Sequence, residues 1–445
     1  MRIILGILFL ALVMLPLFIR SSPPEEWENS AGKEEIKIIS PHRQEVRAEY
    51  SRAFFQWMRK NHQRDVYINW IDVGGAQQIT RELESRFKQK PESSGLDIMF
   101  GGGTEPHEYL LKQGKLQRIS LPDEIMAGIP KRAAGVPVYD PDGHWYGVAL
   151  SGFGIIYRDS ISILAGTQPP RIWDDLGKPE FFGMIASGNP RASGAMRACY
   201  EIMLQAKGYE EGWALITKLA ANVRRYGQTA SDAPNAVAIG NAAAGLSIDQ
   251  YARTTIVTYD VPDIKFIYPE NMTMINPDAI SILKGAPNYD LAMLFVQFAL
   301  SDEGQLILVQ KPGVNGQKYA LNRRPVRNGI HPDGDLPEAA ENQFLFDSEL
   351  SARRTIVMDD LIGMCLIDNH DLLKKIWKKI IDRGLRHEEV QALCKPPIES
   401  PDWKQLQKDY RDPINRVQFR RKWNAEYRNR LETLYKQLNS PQSAN

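Results

Sequence analysis

The chain of 445 residues is 43% hydrophobic, which suits two or three packed domains and excludes a disordered chain. Its 55 basic and 54 acidic residues leave a net charge of +1, too little for a global field that would draw nucleic acid or an anionic membrane. Cys199, Cys365 and Cys394 are too few and too scattered for a disulfide framework or a CxxC motif, and Cys199 reads as a small buried hydrophobe in a helix.

The apolar run Ile3 to Ile19 behind Arg2, followed by a Ser-Pro-Glu stretch, addresses the chain to export. The run is longer than a usual signal core of roughly 7 to 15 residues and approaches the roughly 20 that span a bilayer. Only Ile19-Arg20-Ser21-Ser22 follows Phe18, with no small-x-small site, so residues 1–22 read as a signal peptide or as an uncleaved membrane anchor. Either way the body is expected in the periplasm or on another extracytoplasmic face.

After a Pro/Glu-rich spacer, Glu35 to Ile39 reads as a first strand ending at Ser40-Pro41-His42. Gln44 to Lys60 follows as an amphipathic helix, with Val46, Tyr50, Phe54, Phe55 and Trp57 on one face. Val66 to Val73 and Ala76 to Phe87 repeat strand and helix. Leu96 to Phe100 runs into Gly101-Gly102-Gly103-Thr104 and a helical stretch, Glu108 to Gln113. Three such units predict an α/β body with a parallel sheet, whose carboxyl-edge loops form a crevice where Ser40 to His42 and Gly101 to Thr104 lie side by side. Trp145 to Tyr157 is long, β-like and rich in small residues, as expected of a strand crossing between lobes.

A second α/β unit follows. Ile172 to Leu176 opens a helix, Gly183 to Ala186 is a strand, and Asn189 to Gly194 is a loop before a helix from Ala195 to Lys207. Ala236 to Ala244 and Gly245 to Ile248 repeat helix and strand, then reach Asp249-Gln250-Tyr251. Tyr268 to Ile282 reads as the return strand, and Asp290 to Leu300 as a helix stopped at Ser301 to Gly304. Beyond Pro337 come long charged helices. In His370 to Arg383, Leu372, Leu373, Ile376, Trp377, Ile380 and Ile381 oppose a lysine face; Trp403 to Leu438 is similar. They are expected to pack on the first lobe with a solvated basic face, in preference to lying on a membrane.

Ser193 and Gly194 stand where a loop enters a helix, offering amide N–H groups and a hydroxyl to an anion; the same pattern fits a plain N-cap. Gly101 to Gly103 with Thr104 permits close approach of a ligand or simply a tight turn, and lacks the endings of nucleotide-binding loops. His42, at the edge of the first strand, suits an anion, a metal or a helix cap, and Tyr251 occupies the matching edge of the second lobe. No GxSxG, HExxH or histidine cluster points to catalysis, and no catalytic residue is assigned. A metal-dependent hydrolase built from His42, Glu105 and His107 ranks lowest. Asn271-Met272-Thr273 matches a glycosylation sequon of little weight.

Taken in order, four segments resemble the type II periplasmic solute-binding proteins of ABC importers, in the group of ferric-ion, thiamine, polyamine and phosphonate or sugar-phosphate receptors. They are Ile172 to Leu176, Pro190 to Gly194, Gly240 to Gly245 leading to Tyr251, and Ile282 to Ala286 with Ala292, Phe295, Phe298, Ser301, Glu303, Gly304 and Gln305. The resemblance implies a two-lobed fold, each lobe a mostly parallel sheet flanked by helices, with a helical C-terminal extension added. It divides the chain into a first lobe over 34–150 and 268–336, a second over 151–267, and an extension over 337–445. It implies a small-molecule ligand held by Ser40, His42, Gly102, Thr104, Ser151, Ser193, Gly194 and Tyr251, delivery to an ABC permease, a monomer, no nucleic acid and no cofactor. Ferric receptors of the group carry adjacent tyrosines where this chain has Gln250-Tyr251. A ferric-ion receptor, with the set His42, Glu105 and Tyr251, or a thiamine receptor is therefore secondary to a receptor for an anionic phosphate- or carboxylate-bearing solute. A ligand-sensing subunit of a signalling system is the alternative of another class.

Overall fold

A computed structural model describes residues 25–440 except 271, 333, 337–343 and 400. The export run Ile3 to Ile19 and Asn271 of the sequon lie outside the described residues. Among the described residues no helix is long and apolar enough to cross a membrane.

The three leading units fold as their periodicity predicts: strand β1 (Glu34–Ile39), the Gln44–His62 helix, β2 (Val66–Ile71), the Ala76–Gln89 helix, β3 (Ile98–Phe100) and the Glu105–Lys112 helix. A small hairpin, β4 (Arg132–Ala133) and β5 (Val136–Pro137), precedes β6 (Tyr146–Arg158). The second lobe holds β7 (Ile185–Gly188), β8 (Val223–Gly227), β9 (Ala244–Ile248) and β10 (Ile264–Ile267), and the chain returns through β11 (Ile275–Ile282) and β12 (Arg324–Pro325). In the ten-stranded sheet the order is β2-β1-β3-β11-β6-β9-β7-β8, with β10 and β12 also paired to β6.

β6 belongs to both lobes. Its Tyr146 to Gly152 stretch pairs antiparallel with β11, and its Phe153 to Tyr157 stretch pairs antiparallel with β9. On either side β1, β2 and β3 run parallel, as do β7, β8 and β9. The hand-off admits no side chains: a Cβ on Gly152 would collide with Tyr268 and Ile275, and one on Gly154 with the Ile267 carbonyl.

Several boundaries differ from the sequence expectations. Ile172 to Leu176 opens only a short 3₁₀ turn, Trp173–Gly177. The second-lobe helix is Asp232–Ala238, and Ala242 to Ala244 belong to the buried approach to β9. The return strand starts at Ile275. The Tyr209–Asn222 helix and β8 were not read from the sequence; the helix is apolar on most sides, which blurs the amphipathic period, and β8 carries two arginines.

The C-terminal helices pack on the second lobe and not the first. One continuous core joins Cys199, Met203, Trp213, Ile216 and Leu219 of the second lobe to Val357, Leu361, Leu373, Ile376, Trp377, Ile380 and Leu431 of the extension. The first lobe had already covered its sheet with Phe54, Phe295 and Phe298, whereas the Gly194–Lys207 and Tyr209–Asn222 helices offered an uncovered apolar surface. Polar bonds fix the fit. Trp377 Nε1 donates to Asn222 Oδ1 at 2.8 Å, and the buried Arg354 guanidinium meets Glu201 at 2.8 Å. Arg354→Met should strand the Glu201 carboxylate in that core and cost about 3–5 kcal/mol. Urea unfolding should show the second lobe and the extension melting together at the lower midpoint.

Candidate functional site

The carboxyl-edge loops of the first lobe meet as the three-unit pattern requires. Ser40 is fully buried; its Oγ accepts from the His42 amide at 3.1 Å. His42 points into the lobe, where its Nε2 lies 2.7 Å from Asp278 Oδ2 and 3.1 Å from the Arg323 guanidinium. Arg323 pairs with the same Asp278 oxygen at 2.8 Å, and the Gly102 amide donates to the other, Oδ1, at 3.0 Å. One carboxylate thus ties the loop after β1 to the loop after β3. Burial raises the Asp278 pKa, but Arg323 and His42 outweigh it and hold the carboxyl well below the usual range. Burial, with Arg323 and Arg47, keeps His42 below its ordinary value against the pull of Asp278.

Gly103 and Thr104 face the crossing strands. Gly103 has φ +80°, and a Cβ there would stand 2.8 Å from Asn276 Nδ2, so only glycine lets this loop close on β11. The Thr104 amide donates to Asn276 Oδ1 at 3.4 Å. Ser151, half-buried on β6, is the register partner of Asn276.

From the second lobe, Ser193 caps the Gly194–Lys207 helix, its Oγ accepting from the Met196 amide at 3.4 Å. Gly194 follows as the first helical residue and opens on free space. Tyr251 reaches across to the first lobe: Arg43 donates to its hydroxyl at 2.9 Å and stacks over its ring at 5.1 Å. Its helix starts at Asp249, a buried carboxylate that accepts from the Gly152 amide at 3.0 Å and from Tyr268 at 2.8 Å. Burial raises the Asp249 pKa despite those donors.

Between the lobes lies a cavity of about 460 Å³ lined by Glu105, Glu108 and Lys112 of the first lobe, Phe153, Gly194 and Arg197 of the second, and Met274 and Asn276 of the return crossing. Glu105 and Glu108 keep accessible surface because the cavity admits solvent. The protein around them nevertheless desolvates both and raises their pKa values. Arg197 is neutralised by Asp359 at 2.8 Å.

Of the residues singled out from sequence, Gly194 lines this cavity, Tyr251 bridges the lobes, and Thr104 and Ser151 adjoin Asn276. Ser40, His42, Gly102 and Ser193 are engaged in holding loops. Asn276, Asp278, Asp249 and Arg323 were missed: each is remote in sequence from the residues it serves, and a polar residue within an apolar strand, as at Asn276 and Asp278, was the available signal. The hydrolase set does not assemble. Both His107 ring nitrogens are engaged in the buried lobe, with Ser281 at 2.8 Å and the Gly101 carbonyl at 3.2 Å, and no metal-binding cluster of His, Cys, Asp and Glu forms among the described residues. Of the ferric set, His42 is engaged with Asp278 and the Tyr251 hydroxyl with Arg43, while Glu105 lines the cavity.

Residues 96–329 match the family described as bacterial extracellular solute-binding protein. The chain belongs to this family. Its members are binding proteins and not enzymes, in agreement with the absence of a catalytic motif from the sequence. The phosphoglycerate transport regulatory protein PgtC of Salmonella typhimurium is 29% identical over 255 residues, covering 55% of this chain and 60% of that protein. The chain thus spans less than two thirds of that relative's length. In fold it is similar to the periplasmic binding protein AfuA of Actinobacillus pleuropneumoniae, solved with fructose 6-phosphate, with a TM-score of 0.53 at 21% identity over 74% of this chain and 98% of that one. The apo ferric ion-binding protein A of Pasteurella haemolytica gives 0.53 at 19% identity over 67% and 87%. These likenesses establish the two-lobed solute-binding fold.

The Asp278 network carries a pH signature. Its depressed pKa contributes stability that is complete above the unfolded value of 3.8 and lost as pH falls toward the folded value. Asp278→Asn should cost about 3–5 kcal/mol at neutral pH by leaving Arg323 buried and unpaired. Urea titrations at a series of pH values should also show a weaker acid loss below about pH 4 in the variant than in the parent.

Proposed function

We propose that this chain is an extracytoplasmic solute-binding protein of an ABC importer. It captures a small phosphate- or carboxylate-bearing solute between its lobes and hands it unchanged to a membrane permease. The observation that carries the reading is the interlobe cavity, into which the first turn of the Gly194–Lys207 helix opens opposite the Glu105–Lys112 helix. The first amides of a helix have no partner within it, and they sit at the positive end of its dipole, so Gly194 offers an anion a donor without a charged side chain. Thr104, Ser151, Asn276 and Tyr251 complete the contact set, while Ser40, His42, Gly102 and Ser193 hold the loops in place. The phosphoglycerate in the name of the Salmonella relative and the fructose 6-phosphate in the AfuA structure support an anionic organic solute. The lobes follow the division at Gly152 and Phe153, and domain closure about these crossings is the expected motion.

A second reading, a ligand-sensing subunit, draws on the words "transport regulatory" in the name of that relative and on the helical extension built onto the second lobe. Recovery of a permease, and not a sensor kinase, with the protein from solubilised native membranes decides for import.

Gly194→Pro tests the anion site cleanly. Proline is tolerated at the first helical position, the extended Ser193 at φ −128° suits a residue before proline, and open space surrounds the Gly194 Cβ position. Calorimetric titration with fructose 6-phosphate, 3-phosphoglycerate, inorganic phosphate and citrate should reveal binding of at least one by the parent. The variant should bind it about tenfold more weakly at an unchanged melting temperature. Glu105→Gln with Glu108→Gln should strengthen binding of the same probe at neutral pH, because both carboxylates line the cavity and repel an anion. Absence of binding by the parent, or equal binding by Gly194→Pro, refutes the assignment.

A further inference from the structure

The interlobe cavity has a third wall that neither lobe supplies. The Ser348–Ile362 helix, first of the C-terminal extension, sends Ser348, Ser351, Ala352 and Thr355 to the cavity. Their spacing of three and four residues is that of one helix face. The opposite side is fastened to the second lobe: Arg354 is buried against Glu201, Asp359 meets Arg197, and Val357, Met358 and Leu361 enter the second-lobe core. Its start is fixed twice over, by the Asp347 side chain capping Leu350 at 2.8 Å and by Gln205, which exchanges two hydrogen bonds with the Asp347 backbone at 2.8 and 3.0 Å. Ser348 and Glu105 of the first lobe line the same cavity. One helix, rigid with one lobe, therefore faces the other across the cleft.

Resting on the solute-receptor reading, we infer that the start of the Ser348–Ile362 helix is a specificity-determining wall of the ligand cavity, which limits the size of the solute and follows the second lobe as the cleft opens and closes. Small and hydroxyl-bearing side chains make most of the wall, with Phe346 and Glu349 beside them. Thr355 has already donated its hydroxyl to the Ser351 carbonyl at 2.6 Å, which leaves the hydroxyls of Ser348 and Ser351 to meet the distal, polar end of a bound solute. A solute with a short hydroxylated tail fits this side.

Two measurements test the wall. In the full chain, Glu105→Cys with Ser348→Cys should be joined within one molecule by a short bis-maleimide; the native Cys199, Cys365 and Cys394 are all buried and should not compete. If each single cysteine reacts with a monomaleimide but the pair gives no intramolecular link, the extension does not stand at the cleft in solution and the inference is overturned. Ala352→Trp then fills the cavity from the extension alone. It should weaken whichever probe the parent binds, among fructose 6-phosphate, 3-phosphoglycerate, inorganic phosphate and citrate, by at least about tenfold without lowering the melting temperature. A parent that binds a probe and an Ala352→Trp variant that binds it equally well overturn the wall while leaving the receptor reading intact. A parent that binds none of the probes but links efficiently counts against the receptor reading and supports the placement of the extension.

Discussion

The structure depends on a single strand being shared. β6 pairs with the first lobe through Tyr146 to Gly152 and with the second through Phe153 to Tyr157, so its backbone hydrogen bonds are divided between the two halves of the ten-stranded sheet. Gly152 and Gly154 stand at the hand-off because Tyr268 and the Ile267 carbonyl occupy the space where a Cβ would go. The cavity sits beside this crossing, lined from β6 by Phe153 and from the return segment by Met274 and Asn276. Any motion of one lobe against the other pivots on the same residues that border the cavity.

Electrostatics then stiffen each side differently. In the first lobe one ionised carboxylate, Asp278, gathers His42, Arg323 and the Gly102 amide, and binds two strand-end loops into a fixed rim. In the second, Asp249 joins the start of the Tyr251 helix to Gly152 on the crossing strand, and burial, not a charged partner, dominates its titration. The rim of the first lobe is thus pinned by a charge network, whereas the second lobe is pinned to the pivot. Arg43 and Tyr251 meet between them at an exposed contact, which is weak enough to open.

The extension changes what the two-lobed plan can do. Its apolar faces are absorbed into the second-lobe core, and its charged faces carry local pairs such as Arg416 with Asp360 and Lys395 with Glu399. Because it is fused to one lobe and its first helix faces the other across the cavity, it can add selectivity at the cleft mouth while moving with the second lobe.

The sequence by itself determined the local alternation of strand, glycine-bearing loop and helix, the crossing character of Trp145 to Tyr157, and the helix entry at Ser193-Gly194. Each is written in adjacent residues through periodicity, capping and the steric freedom of glycine. The resemblance in four ordered segments supplied the family. Tertiary structure alone decided that His42 serves Asp278 and not the cleft, that Asn276 stands at the cavity, and that the C-terminal helices cover the second lobe. Those outcomes hinge on partners 153 to 281 residues apart in the chain, such as Arg354 with Glu201 and His42 with Arg323. An amphipathic helix declares that it has an apolar face, but which uncovered surface it will meet is settled only when both surfaces exist.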